Sequence, residues 1–247
     1  MSISIDLNSD LGEHSDSHLD EQIMPYITSC NIACGGHVGD ATSVKKTIEL
    51  AMKHHVAIGA HPSFPDKENF GREVMSMNLE DLRTSVLEQV QLVKSSCEEM
   101  KINLHHIKPH GALYNLAAND EKISTMLCEL LLALDPKVKL YGLAHSITER
   151  VAVSMNIDFV GEAFADRSYE MDKTLRSRKK KGAVIEDEEM VLRQVEELVC
   201  SGRVTSEEWL SISAQTICLH SDTKGAVNLA KSIRNHLEQK GVHIRSV

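Results

Sequence analysis

The stretch HHIKPHGALYN, residues 105–115, gathers three histidines, a lysine and a tyrosine in a chain with few aromatic residues. Side chains two apart on a strand share a face, so His106, Lys108 and His110 project together. Imidazoles move protons near neutral pH, and a fixed ammonium stabilises developing negative charge. The same parity recurs elsewhere: Asp6, Asn8 and Asp10; Cys218, His220 and Asp222. Asn31 and Gly35 lead to His37, Gly59 precedes His61, and Glu162 precedes Asp166. Carboxylates, imidazoles, amides and one lysine suit activation of water by a general base, with electrostatic stabilisation of an oxyanion. They also suit a divalent metal held by Asp and His. No HExxH or comparable local motif decides for a metal, so no obligatory ion is expected. No GxxxxGK[ST], strand-following GxGxxG or GxSxG occurs, which argues against a P-loop, a Rossmann dinucleotide site and a nucleophile elbow.

These groups need elements to position them. Strands are predicted over 3–8, 27–34, 56–61, 102–108, 137–143, 157–164 and 216–221. Helices are predicted between them. Over 79–100, Leu82, Val86, Val90, Val93, Cys97 and Met100 recur at steps of three and four behind Asn78 as N-cap. Over 41–54, Val44, Ile48, Ala51 and Met52 share a face behind Asp40. Residues 224–240 end at Gly241, a good C′ residue, and 119–134, 146–155 and 187–200 complete the set. Strand–helix alternation means right-handed βαβ units and a parallel sheet. Seven strands fit either a TIM-like barrel closed short of eight or a doubly wound sheet. In both, polar strand ends converge where ligands bind. Two connections, 62–78 and 165–186, are long enough to be lids or binding loops.

Composition sets the outer limits. The 247 residues carry a net charge of −9 and suit one barrel domain spanning 1–247, with no linker or low-complexity tract. An acidic chain repels phosphate backbones, so nucleic acid is not an expected partner. The N-terminus lacks a signal-peptide pattern, and no apolar run reaches the ~18 residues of a membrane span. The six cysteines, none in a CxxC, read as reduced thiols of a cytoplasmic protein. Some polar residues have plainer readings. Asp40 and Asp222 precede helices and suit capping. His54, His55, His145 and His236 suit helix surfaces, His14 and His18 suit loops, and His105 faces the helix side. Cys30 and Cys34 suit packing. The RKKK run at 178–181 is either solvated or an anion-binding lid.

The segments DLNSDLGE (6–13), SCNIACGGHVGD (29–40), IGAHPSFPD (58–66), FGRE (70–73), HIKPHGALYN (106–115), EAFADRSY (162–169) and ICLHSD (217–222) together resemble the LamB/YcsF family, nearly end to end and in order. The resemblance implies a seven-stranded TIM-like β/α barrel of the glycoside hydrolase/deacetylase type. It implies ATP-dependent hydrolysis of 5-oxoproline (pyroglutamate) to L-glutamate, jointly with partner subunits B and C. Carried onto this chain, its motifs place Asp10, Glu13, His37, Asp40, His61, Lys108, His110, Glu162, Asp166 and Arg167 at the site. Asp10 or His61 would be the general base. Lys108 and His110 would stabilise the oxyanion or protonate the leaving nitrogen. Arg72 or Arg167 would bind the substrate carboxylate, and Asn8, Asn31 and Tyr114 would supply oriented hydrogen bonds. Three positions depart from the family pattern. Gly36 replaces a common Phe, expected to widen the pocket beside His37; Glu73 replaces a second Arg; Ser221 replaces Gly. Two rival readings are a metal-dependent carbohydrate or amide deacetylase on the same barrel and a non-catalytic ligand-binding subunit.

Overall fold

The computed structural model describes residues 3–14, 18–205, 209–221 and 225–247, so the capping expectation for Asp222 lies outside the described residues. In chain order the elements are β1 (Ser4–Leu11), α1 (His18–Ile23), β2 (Ser29–Ala33), α2 (Ala41–His54), β3 (Ala57–His61), α3 (Leu79–Glu99), β4 (His106–Ile107), α4 (Gly111–Ala117) and α5 (Glu121–Leu134). They continue with β5 (Lys139–Leu143), α6 (Ile147–Ser154), β6 (Phe159–Phe164), α7 (Glu188–Ser201), β7 (Arg203–Thr205), β8 (Trp209–Ser211), β9 (Thr216–Cys218), α8 (Ala226–Gln239) and β10 (His243–Ile244).

All seven predicted strands are present, and they pair in parallel in the order β1-β2-β3-β4-β5-β6-β9. The pairing of β1 with β9, Asn8 opposite Cys218, closes the cylinder, so the barrel is realised and the open sheet is not. β10 lies beside the start of β1. An antiparallel hairpin, β7–β8, is inserted before the last barrel strand. Neither is expected from the sequence, because two- and three-residue strands carry too few side chains for a periodic signal.

The helices begin where capping residues stand. Asp40 accepts from the backbone of Thr42 and Ser43 in a reciprocal capping box, Asn78 from Asp81, Asp120 from Lys122 and Ile123, and Asp187 from Met190; each such cap is worth about 1 kcal/mol. Asp40 is exposed, so capping is its role and it stands outside the pocket. The predicted apolar stripes are the buried faces: Val44, Ile48 and Ala51 on α2, and Leu82, Val86, Val90, Val93 and Cys97 on α3. With Ile5 and Leu7 from the outer face of β1 they form the shell between helices and barrel.

The barrel interior is polar. At one end Asp6 accepts hydroxyl protons from Thr28, Ser29 and Thr216 at 2.6 Å each and from Tyr141 at 3.3 Å. Burial pushes its carboxyl above the usual range, and these four hydroxyls oppose the rise. One step up the axis, His106 Nε2 donates to Asn31 Oδ1 at 2.7 Å and stacks on Tyr141. His106 fits because its neighbour on β3 is Gly59, where a Cβ would come within 2.1 Å of the ring. Among the described residues, no helix is long and apolar enough to cross a membrane.

Candidate active site

The cylinder opens at the carboxyl ends of its strands into a cavity of about 770 Å³. Asp10, Glu13, His61, Arg72, Lys108, His110, Tyr114 and Arg167 line it. Asn8, Asn31, His37, Glu162 and Asp166 are buried behind that lining rather than on it. Both long loops frame the mouth: Asn69, Arg72 and Glu73 come from 62–78, and Asp172, Thr174, Leu175, Ser177, Arg178 and Lys179 from 165–186.

Lys108 stands at the centre of the floor, 1 % exposed. Its Nζ lies 2.9 Å from Glu162 Oε1 and 3.1 Å from Asp10 Oδ1, and it donates to Asn8 Oδ1 at 3.2 Å and Cys218 Sγ at 3.1 Å. Burial opposes the ammonium, but the surrounding negative charge outweighs it and holds Lys108 well above the usual lysine range. Burial pushes the Cys218 thiol up, so it stays protonated and the carboxylates carry that effect. Lys108 is therefore a permanent cation. Asn31 donates to both Asn8 and Asp10 at 2.8 Å, fixing the two acceptors that meet the lysine.

The proton-carrying groups lie above it. His61 Nδ1 is 2.7 Å from the Lys108 carbonyl; a carbonyl only accepts, so this nitrogen carries hydrogen and Nε2 faces the cavity. His110 Nε2 likewise donates to the Phe70 carbonyl at 3.0 Å, leaving Nδ1 inward. The two inward nitrogens are 3.0 Å apart, with Asp10 Oδ2 3.4 Å from His61 and Glu13 Oε1 3.4 Å from His110. In neutral rings all four atoms are acceptors. Two carboxylates and two imidazole lone pairs converge, mutually within 4.8 Å, a set of acceptors poised to receive a proton. A divalent cation fits the same donor set, since Asp, Glu and His are its usual ligands. Burial opposes the Asp10 carboxylate, yet His61 and then Lys108 hold it well below the usual range.

Supporting side chains set these orientations. His37 donates from Nε2 to Glu13 at 3.0 Å and stacks on His110 with centroids 3.8 Å apart. Phe70 has φ +55°, the left-handed region that a bulky residue seldom adopts. That turn delivers its carbonyl to His110, its ring edge to His37, and its ring face to Arg72 at 5.1 Å. Gly111, φ +53°, starts α4 so close to this turn that a Cβ would lie 2.5 Å from the Gly71 carbonyl. Tyr114 Oη and Glu162 Oε2 are buried and neither makes a regular hydrogen bond, though the phenol and this carboxylate interact. Burial first, then Glu162, raises the phenol well above its ordinary value.

Two residues differ from their expected placement. Arg167 donates to the Ala183 and Arg176 carbonyls, so its guanidinium braces the 165–186 connection as well as touching the cavity. The cavity is not widened at Gly36: the space a side chain would take holds Gln89 and Ser63, at 2.3 and 2.4 Å from an added Cβ. Gln89 exchanges two hydrogen bonds with the Ser63 backbone, both 2.9 Å. Ser221, the third departure, donates to the Asp10 carbonyl at 2.7 Å and ties the ends of β1 and β9 together. Cavity residues to which the motifs assign no role are His220, held by Asp166 at 3.0 Å, and the Arg178–Lys179 pair. His220 is signalled in the sequence by the strand parity it shares with Cys218 and by its place in ICLHSD.

The comparisons agree with this architecture. The chain is 42% identical over 247 residues to the 5-oxoprolinase A subunit of Bacillus cereus (strain AH187), covering 98% of each chain. It is 40% identical over 250 residues to the 5-oxoprolinase A subunit of Thermococcus sibiricus (strain DSM 12597 / MM 739), covering 99% of this chain and 98% of the relative. The crystal structure of a lactam utilization protein from Thermus thermophilus superposes with a TM-score of 0.92 at 34% identity, covering 99% of this chain and 100% of that one. The family model of LamB/YcsF matches residues 5–247; the chain belongs to the LamB/YcsF family.

Proposed function

We propose that this chain is the A subunit of an ATP-dependent 5-oxoprolinase, opening the lactam of 5-oxoproline to L-glutamate with partner subunits B and C. The observation that carries this reading is the cavity floor: a buried permanent cation, Lys108, beneath a base-bearing pair, Asp10 and His61. His61 Nε2 takes a proton from water as oxygen attacks the lactam carbonyl. Asp10 stabilises the imidazolium, and the same proton returns to the ring nitrogen as the C–N bond breaks. His110, 3.0 Å from His61, orients that proton. Lys108 provides a fixed positive field for the developing oxyanion. Tyr114 offers a hydroxyl to the bound ring, Glu162 behind it helps hold Lys108, and Arg72 offers the substrate carboxylate a guanidinium. Hydrolysis of a stable amide gains its drive from ATP, handled by the assembled complex, because this chain has no P-loop.

A second reading is favoured by the four convergent acceptors. A divalent cation held by Asp10, Glu13, His61 and His110 would act as a Lewis acid toward water or the carbonyl. In that case Lys108 keeps its role and Asp10 becomes a ligand. One experiment separates the readings. Purified chain is assayed for glutamate from 5-oxoproline and ATP, with and without subunits B and C, before and after chelation. Glutamate only with B and C, unaffected by chelation, supports the first reading. Loss on chelation and recovery with added Zn²⁺ or Mn²⁺ supports the second. No glutamate in any combination overturns both.

A further inference from the structure

The connection from β6 to α7 is a built strap. Ser168 and Ala183 bond across it, as do Glu170 and Thr174, Arg176 and Ser168, and Ile185 and Asp166. Arg167 pins its two limbs from beneath. Within 167–181, seven cationic residues stand against two carboxylates, in a chain whose net charge is −9. The strap's own contacts use part of that charge. Lys180 pairs with Glu170 at 2.9 Å, the Arg176 Nε donates to the Lys181 carbonyl, and Asp172 is occupied by Thr174. Arg178 and Lys179 have no side-chain partner among the described residues, and these two line the cavity above the catalytic floor. Arg178 also adds its charge to that of buried Arg167, which Asp166 partly offsets.

The cavity is also larger than a lactam needs. At about 770 Å³ it falls in the range that encloses drug-sized ligands, whereas 5-oxoproline is one five-membered ring with a carboxylate. A single guanidinium satisfies that carboxylate, and Arg72 lines the cavity from the other loop. Two adjacent cations without a side-chain partner call for a group of higher charge.

We propose that Arg178 and Lys179, at the rim of this cavity, form a binding site for a dianionic phosphoryl group. A phosphoryl group offers several acceptor oxygens and nearly two negative charges at neutral pH, matching one guanidinium fork and one ammonium. It arrives on the substrate, on a nucleotide or as free phosphate. Spare volume presupposes the lactam reading, but the site uses none of the groups that would open the ring, so phosphate binding is tested apart from turnover.

The test uses the full chain at constant ionic strength, titrated calorimetrically with inorganic phosphate, acetyl phosphate and ADP. At least one probe binds, and Arg178→Ala/Lys179→Ala weakens it by about tenfold or more, the scale of losing charge-assisted contacts. Both side chains are exposed, so the variant folds, which a thermal melt verifies. Lys173→Ala/Lys181→Ala removes the same charge from the same strap away from the cavity and leaves binding within about twofold. Tightest binding of acetyl phosphate assigns the group to the substrate, of ADP to a nucleotide, and equal binding of inorganic phosphate to free phosphate; each supports the site. Binding of none of the three, or equal weakening by both double variants, overturns it. So does a rim variant that retains phosphate but no longer associates with the partner subunits, which would make the strap a surface for an acidic protein.

Discussion

Lys108→Met removes one charge from the floor and leaves two carboxylates without their shared cation. The lysine nitrogen sits 2.9 Å from Glu162 and 3.1 Å from Asp10. At such separations and an effective dielectric near 20, each attraction is about 5 kcal/mol before desolvation is subtracted. Breaking buried pairs from one side destabilises proteins by about 3–5 kcal/mol, which for a chain of this size lowers the thermal midpoint by roughly 10 °C. The loss depends on pH, and its sign follows from the carboxyls. In the native protein the folded Asp10 value lies well below the usual one, so its stabilisation is present above the unfolded pKa and fades only as pH falls through the folded one. Without Lys108, burial acts on Asp10 with less opposition and its carboxyl shifts upward. The variant therefore regains stability as Asp10 protonates, and the gap from wild type narrows as pH falls from about 7 to about 5, toward the unfolded carboxyl range. Thermal melts of both proteins at the two pH values measure this, and turnover of the assembled enzyme should fall by at least ~10². A deficit below about 1 kcal/mol, or one of equal size at both pH values, would refute the electrostatic account of the floor.

Three further outcomes follow from the same contacts. Tyr114→Phe deletes a buried hydroxyl that makes no regular hydrogen bond and interacts with Glu162, so stability changes by no more than about 1 kcal/mol; turnover nevertheless drops if the phenol meets the substrate, and parallel melting and kinetic measurements separate the two effects. Gly36→Phe forces Gln89 off the Ser63 backbone and destabilises by about 1–3 kcal/mol; adding Gln89→Ala restores part of the loss, and a double-mutant cycle with no coupling would contradict that geometry. Asp20, which accepts the Gly12 N–H at 2.9 Å, is pushed by burial up to about 6. A raised folded pKa gives stability that is complete below the unfolded value and lost as pH rises through the folded one. Asp20→Asn should thus exceed wild type by about 3 kcal/mol at neutral pH and match it near pH 4, as read from urea unfolding.

Much of the barrel and its floor is legible in the sequence because strand parity is a strict code. Asp6, Asn8 and Asp10 alternate with Ile5 and Leu7, and the structure sends the first set up the barrel axis and the second under the helices. Caps at Asp40 and Asn78 mark helix starts for the same local reason. What stays hidden depends on contacts between distant segments. Nothing around Gly36 announces that Gln89, on α3, occupies its space. The tautomers of His61 and His110 are fixed by carbonyls of Lys108 and Phe70, which no spacing rule connects to them. The helix α4 is hidden because a Pro–His–Gly start reads as a turn until Gly111 is seen against Gly71.

The polar column also explains why the site sits where it does. A barrel filled with aliphatic side chains would present its rim residues on an inert plug. Here Asp6 anchors hydroxyls at one end, while Asn31 passes hydrogen bonds between Asn8, Asp10 and His106. Lys108 closes the ladder at the cavity floor. Each rung leaves the next acceptor with one open direction, and the last open directions belong to His61, His110, Glu162 and Tyr114. The floor is thus positioned by hydrogen bonds running through the core rather than by mobile loops.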